Sequence, residues 1–246
     1  MNEYNKKILL ITTGGTIASV NTKDGLVPAG SEILKNEIEH LRAYYEIEVC
    51  DLMCLDSSNI QPEEWVKIAR CVFDRRTGVD GIVITHGTDT MAYTSSILSF
   101  MLRNIDIPVV LTGAQLPMQN PISDAFDNLR TAFLMAASGR AGVFVAFDRH
   151  VMLGCRAVKV RAESFDAFES VNRRYAARVT TGGLVVDEEG LPHGHGAPML
   201  VDKVSTDVFL IKLTPGLSPR VFDALCDMGY RGIVVEAFGV GGMHFV

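Results

Sequence analysis

A chain of 246 residues, 48% hydrophobic and 21% charged, is long enough for a substantial apolar core, yet no stretch approaches the ~20 apolar residues of a membrane span. Its net charge of −6, with no basic tract beyond Arg75-Arg76 and Arg173-Arg174, excludes the electrostatic footprint of a nucleic-acid binder. Cys50, Cys54, Cys71, Cys155 and Cys226 are odd in number and lack C-x-x-C spacing, which excludes a disulfide framework and a zinc ribbon and predicts reduced thiols.

The first apolar run, Ile8-Leu9-Leu10-Ile11, is shorter than the ~7–15-residue core of a secretory signal and reads as the first strand of a cytoplasmic protein. Strands are expected over Lys7–Thr12, Glu46–Met53, Gly81–Thr85, Val109–Thr112 and Gly142–Phe147. Between and after them, helices are expected at Ser31–Leu41, Pro62–Arg76, Thr90–Leu102 and Asp124–Ala137. Pro62-Glu63-Glu64 places proline and acids where a first helical turn favours them. This alternation predicts an α/β fold over residues 1–187, a mostly parallel sheet flanked by helices. Near Thr180 the texture becomes Gly-rich and loses helical periodicity, which predicts a hairpin and then a linker over 188–206. A small α/β unit over 207–246 is expected to hold strands Val208–Leu213 and Gly232–Ala237 with a helix at Pro219–Met228. So small a sheet cannot be buried on both faces, so this unit reads as incomplete.

Three strands share an ending: Thr12-Thr13-Gly14, Thr85-His86-Gly87 and Thr112-Gly113-Ala114. In open parallel sheets, ligands bind beyond the carboxyl ends of the strands, where such turns collect. In Thr13-Gly14-Gly15-Thr16 the glycines permit close backbone approach, and a threonine hydroxyl attacks a carbonyl when its proton is removed. His86-Gly87-Thr88-Asp89-Thr90 packs an imidazole, two hydroxyls and a carboxylate between a strand and a helix. Each motif alone has a plainer reading: a turn after a strand for the first, and helix capping by Thr88 or Thr90 with Asp89 in the first turn for the second. No phosphate-binding glycine pattern is present, since Gly239-Val240-Gly241-Gly242 has the wrong spacing. His193 and His195 lack a third ligand, so no metal is expected.

Taken together and in this order, the two motifs resemble the bacterial-type L-asparaginase family, in its type I-like, cytoplasmic form. The resemblance continues through Asp56-Ser57-Ser58-Asn59-Ile60, Pro62-Glu63-Glu64-Trp65, Leu111-Thr112-Gly113-Ala114, Gly154-Cys155-Arg156-Ala157-Val158-Lys159, Phe165-Asp166-Ala167-Phe168 and Gly239–Gly242. It implies hydrolysis of L-asparagine to L-aspartate and ammonia, with glutamine as a further candidate substrate, through an acyl-enzyme on Thr16. Thr88, Asp89 and Lys159 match the family's Thr-Asp-Lys group. The resemblance also implies that Ser57 and Ser58 hold the substrate α-carboxylate, that Thr88 and Asp89 contact the substrate, and that the Ala114 carbonyl accepts a hydrogen bond from the leaving nitrogen. No cofactor is implied, and a homodimer or homotetramer is.

Without the resemblance, Ser57-Ser58 read as ordinary capping, Lys159 in the run Arg156, Lys159, Arg161 reads as part of a solvated charged strand, and His86 as a hydrogen-bonded structural residue. The chain also departs from the family. Many relatives carry a tyrosine in the loop after the first motif, where this chain has Leu26; Ser19, Thr22 and Asp24 are the candidate replacements. Family members continue past the Gly239–Gly242 segment, so the C-terminal unit is expected to lack its end. Two other functions fit the same motifs: an ammonia-supplying subunit of a transfer-RNA-dependent amidotransferase, and an amino-acid-binding module impaired in turnover.

Overall fold

The computed structural model describes residues 6–22, 25–28, 30–192, 194 and 196–243; Asp24, His193 and His195 lie outside them. The chain forms two compact units, Met1–Asp202 and Lys203–Val246.

The first unit opens with β1 (Lys6–Gly14), a hairpin of β2 (Ser19–Thr22) and β3 (Gly25–Pro28), α1 (Lys35–Leu41) and β4 (Tyr45–Leu55). It continues with α2 (Pro62–Arg75), β5 (Gly81–Thr85), α3 (Met91–Met101), β6 (Leu102–Arg103), β7 (Pro108–Thr112), α4 (Ala125–Ala136) and β8 (Gly142–Phe147). Only strands and short turns follow: β9 (His150–Leu153), β10 (Ala157–Lys159), β11 (Phe168–Ser170), β12 (Ala177–Thr180), β13 (Gly183–Val186) and β14 (Met199–Leu200). Each expected strand and helix of this unit is present, with small shifts at the ends; the stretch expected to be helical from Ser31 begins as a 3-10 turn over Gly30–Leu34. The expected linker, 188–206, contains β14, which pairs with β6.

The main sheet runs β13-β12-β9-β8-β7-β5-β1-β4. Its β4, β1, β5, β7 and β8 are parallel, and β9, β12 and β13 complete it antiparallel. Every residue of β5, β7 and β8 is buried, which explains their unbroken apolar runs, since strands covered on both faces have no polar side to alternate with. Ile8, Leu10, Val83, Val110 and Phe144 share a core with Leu34, Ile38 and Leu41 around α1 and with Leu129 and Phe133 of α4. α2 starts where its sequence directs. Pro62 opens the helix, and the Gln61 side chain and Glu64 carboxylate form a reciprocal capping box.

The strand order fixes where a site can form. From β1 the chain moves to β4 on one side and then returns to β5 on the other, so the connections leaving β1 and β5 diverge and open a crevice at their carboxyl ends. Thr12 of β1, Thr85 of β5 and Thr112 of β7 lie side by side in register. The three shared endings therefore emerge at one edge.

An ion pair with its carboxylate buried ties α1 to α4. The Glu37 side chain is only 1% exposed, and Arg130 donates to it through Nε at 2.7 Å and Nη2 at 3.2 Å. These bonds hold the guanidinium pKa above its ordinary value. Removing one partner of a buried pair strands the other charge, at about 3–5 kcal/mol when both are buried. Because Arg130 is half exposed, Arg130→Met is expected to lower stability by about 2 kcal/mol in urea denaturation. Arg149→Met, which breaks a water-exposed pair with Asp127, is expected to cost measurably less.

The second unit holds β15 (Val208–Lys212), α5 (Arg220–Asp227) and β16 (Gly232–Glu236), with β15 and β16 paired in parallel. Leu225 and Ile211 are buried, while Leu210 and Val234 are more than half exposed.

Candidate active site

The two motifs meet backbone to backbone. Gly15 has φ +81°, and a Cβ there would lie 2.4 Å from the Gly87 nitrogen. A Cβ on Gly87 would in turn meet the Ser57 Oγ at 2.5 Å. Glycine is required at both positions because the turn after β1, the turn after β5 and the 3-10 turn Ser57–Asn59 occupy touching space.

The threonines of the first motif have different tasks. Thr13 is buried, and its hydroxyl donates to the Thr85 carbonyl at 2.8 Å, tying β1 to β5. Thr16 is half-buried and faces a cavity of about 280 Å³ lined by Gly15, Thr16, Ser19, Asp56, Ser57, Gly87, Thr88 and Asp89. The Thr16 hydroxyl has no hydrogen-bond partner among the described residues. Ser19, considered as a replacement for the family tyrosine, donates to the Gly15 carbonyl at 2.7 Å. Leu26 lies on β3 with its backbone opposite Asn21, and Thr22 lies opposite Gly25.

In the second motif, His86 is fully buried. Its Nδ1 lies 2.7 Å from the Gly87 carbonyl, which can only accept, so Nδ1 carries the proton. Nε2 then accepts from the Thr94 hydroxyl at 2.9 Å, and Thr94 accepts from Trp65 Nε1 at 3.0 Å. Burial drives the imidazole pKa down to about 4. His86 is thus a neutral strut beneath Gly87, as its hydrogen-bonded structural reading anticipated.

Thr90 occupies the N-cap of α3 without a capping bond; its hydroxyl donates to the Ser57 carbonyl at 2.8 Å. The capping reading fails for Ser57-Ser58 as well. Gln61 caps the helix that Pro62 opens, and the Asp56 carboxylate caps the 3-10 turn Ser57–Asn59 by accepting from the Ser58 N–H at 2.9 Å, leaving Ser57 buried at the cavity wall. Ser58 is exposed and does not line the cavity. Ala114 is buried in the apolar core rather than in the cavity lining.

Lys159 departs from the solvated-strand reading. From the end of β10 its Nζ donates to Thr88 Oγ1 at 2.8 Å and to Asp89 Oδ1 at 2.7 Å, with the side chain only 16% exposed. Arg161 is the residue that stays at the surface, paired with Asp166 and Glu169. Thr88, Asp89 and Lys159 therefore form one hydrogen-bonded cluster, with Thr88 and Asp89 on the cavity wall that Thr16 also lines. Sequence reasoning passed over Gln115, whose Oε1 accepts from the Thr88 hydroxyl at 3.2 Å. Its position directly after the strand ending Thr112-Gly113-Ala114 was the available signal. A cavity of about 690 Å³ beside Glu37, Tyr44 and Arg130 holds none of the motif residues.

Arranged this way, the edge presents a hydroxyl without a described partner, a lysine–threonine–carboxylate cluster and closely packed turns around a space for a small polar molecule. The family model for the N-terminal part of asparaginase matches residues 7–191. The L-asparaginase of Thermococcus kodakarensis is 46% identical over 242 residues, covering 97% of this chain and 73% of that protein. Its solved structure superposes with a TM-score of 0.86 at 45% identity, covering 97% of this chain and 73% of the other. L-asparaginase I of Vibrio cholerae superposes with a TM-score of 0.85 at 28% identity, covering 98% of this chain and 74% of the other. A glutamyl-tRNA(Gln) amidotransferase component from Methanothermobacter thermautotrophicus is 37% identical over 95% of this chain but 56% of its own length. The matching family model, the identity across nearly the whole chain and the threonine-bearing edge agree: this chain belongs to the asparaginase family of amidohydrolases.

Proposed function

We propose that the protein hydrolyses the side-chain amide of L-asparagine to give L-aspartate and ammonia. The Thr16 hydroxyl attacks the amide carbonyl, the C–N bond breaks, and the nitrogen leaves as ammonia with the hydroxyl proton, producing an ester on Thr16. Water then cleaves the ester, releasing the carboxylic acid and restoring the hydroxyl. The Thr88–Asp89–Lys159 cluster handles the proton of the attacking group. Asp89 also offers its outer oxygen to the substrate α-ammonium, while Ser57 on the cavity wall serves the α-carboxylate. The observation that carries this reading is the double hydrogen bond of Lys159 to Thr88 and Asp89, beside a cavity that Thr16 lines. The kinship with a probable cytoplasmic L-asparaginase of Campylobacter jejuni, TM-score 0.83 at 28% identity, supports a cytoplasmic setting, and a homodimer or homotetramer is the assembly proposed.

The test is release of ammonia and aspartate from L-asparagine, with hydroxylamine present to capture the ester as the hydroxamate. Turnover with hydroxamate formation, both lost in Thr16→Ala, is expected. Absence of turnover in a folded protein extended to the full length of its relatives would overturn the assignment. The amidotransferase relatives favour a second reading, ammonia supply to a transfer-RNA-bound substrate; co-purification of transfer RNA with an associated protein would support it instead.

A further inference from the structure

Gln115 joins two parts of the site that the Thr88–Lys159 cluster alone does not connect. Its Nε2 donates to the carbonyls of Ala162 and Ser164 at 2.8 and 3.0 Å, so both amide protons are committed to the loop that follows Lys159. Two carbonyl acceptors fix the orientation of the amide, since a flipped group would set oxygen against oxygen. Oε1 is thereby the atom facing Thr88, and it can only accept. The Thr88 hydroxyl must spend its one proton on Gln115, and Lys159 Nζ meets a Thr88 lone pair. The backbone of Gln115 is pinned in turn: Asp124 accepts from the N–H groups of Gln115 and Leu116. Asn128, fully buried, donates to both Asp124 and the Gly113 carbonyl and accepts from the Asp148 N–H.

We propose that Gln115 is a positioning residue of the amidohydrolase site, one that fixes the direction of the Thr88 hydroxyl proton and holds the Lys159 loop against it. This inference rests on the reading of Thr88 and Lys159 as proton-handling groups. Gln115 does not itself line the cavity, so its loss acts on turnover more than on affinity.

Gln115→Met keeps the length of the side chain and removes all three hydrogen bonds. It is expected to lower kcat for asparagine ~10²-fold, the scale of loss when a reacting group is misplaced by about 1 Å, with KM changed by no more than about threefold. Gln115→Glu distinguishes positioning from bulk structure. Its protonated carboxyl can donate to one loop carbonyl while its other oxygen accepts from Thr88, and the ionised form can donate to neither. Activity relative to wild type is therefore expected to fall as pH rises and the introduced carboxyl ionises, a profile that a purely structural role would not produce. A readout without turnover is the Lys159 side-chain signal in protein carrying ¹³C-labelled lysine, identified by its loss in Lys159→Met and expected to move in Gln115→Met. Unchanged kcat and pH profiles in both folded variants, with the lysine signal in place, would overturn the proposal. If the wild type turns over no asparagine, that result counts against the substrate assignment, and the lysine signal still decides the role of Gln115.

Discussion

Lys159→Met is expected to lower kcat/KM for asparagine by ~10³-fold, Thr88→Ala by a similar factor, and the double variant by little more than either. The expectation follows from the cluster being one device. Lys159 reaches both Thr88 and Asp89 within 2.8 Å, so loss of either Thr88 or Lys159 breaks the link between hydroxyl and amine. Residues that act as a unit give losses that do not add. Two separate contributions would instead multiply, and a double variant ~10⁶-fold down would contradict the arrangement. Steady-state kinetics on the three variants, each checked for native circular dichroism, settles the matter. Thr88→Ser is the conservative control: it keeps the hydroxyl that receives Lys159 and donates to Gln115, and should retain most activity.

The second large effect concerns acid stability. The folded state holds His86 neutral down to about pH 4, whereas an unfolded histidine titrates near 6.5. Above pH ~6.5 neither state binds the proton, and the contribution of this group to stability is fully present. As pH falls from there toward 4, the unfolded chain takes up a proton that the folded chain refuses, and stability is lost. Below about 4 the loss levels off, at about 3 kcal/mol for this difference in pKa. Urea midpoints of wild type and His86→Gln across this range should converge toward acid, because the variant lacks the titrating group while the exposed carboxylates contribute equally to both. Parallel curves would show that His86 does not carry the linkage.

Much of this architecture was legible in the sequence because the signals were local. The runs at β5, β7 and β8 are apolar because both their faces are covered, and Pro62 with its acids announced α2. Threonine–glycine endings on three strands pointed to one sheet edge, and the register of Thr12, Thr85 and Thr112 bears that out. What escaped depends on contacts distant along the chain. β9 through β11 are short, with charged residues nearby, and owe their form to pairing rather than to a marked periodicity. Lys159 is named only by the family resemblance; nothing in its stretch with Arg156 and Arg161 says which cation turns inward, and Thr88 and Asp89 decide it. Gln61, an ordinary polar residue in the sequence, takes the cap of the Pro62 helix that residue type alone would give to Ser57 and Ser58. Gln115 looks like any polar turn residue until the Ala162 and Ser164 carbonyls are brought beside it.

The cluster draws its members from elements of unequal resilience. Thr88 and Asp89 follow β5, an interior strand bonded on both sides and wholly buried, while Lys159 ends β10, half of an isolated two-stranded ribbon of three residues a side. Ribbons of that size open at a small fraction of the global unfolding free energy. Amide hydrogens of β10 and β11 should exchange with solvent deuterium far sooner than those of β5. On heating, the lysine should leave its seat while the sheet is still intact, so that catalytic output fades reversibly several degrees before the cooperative melt.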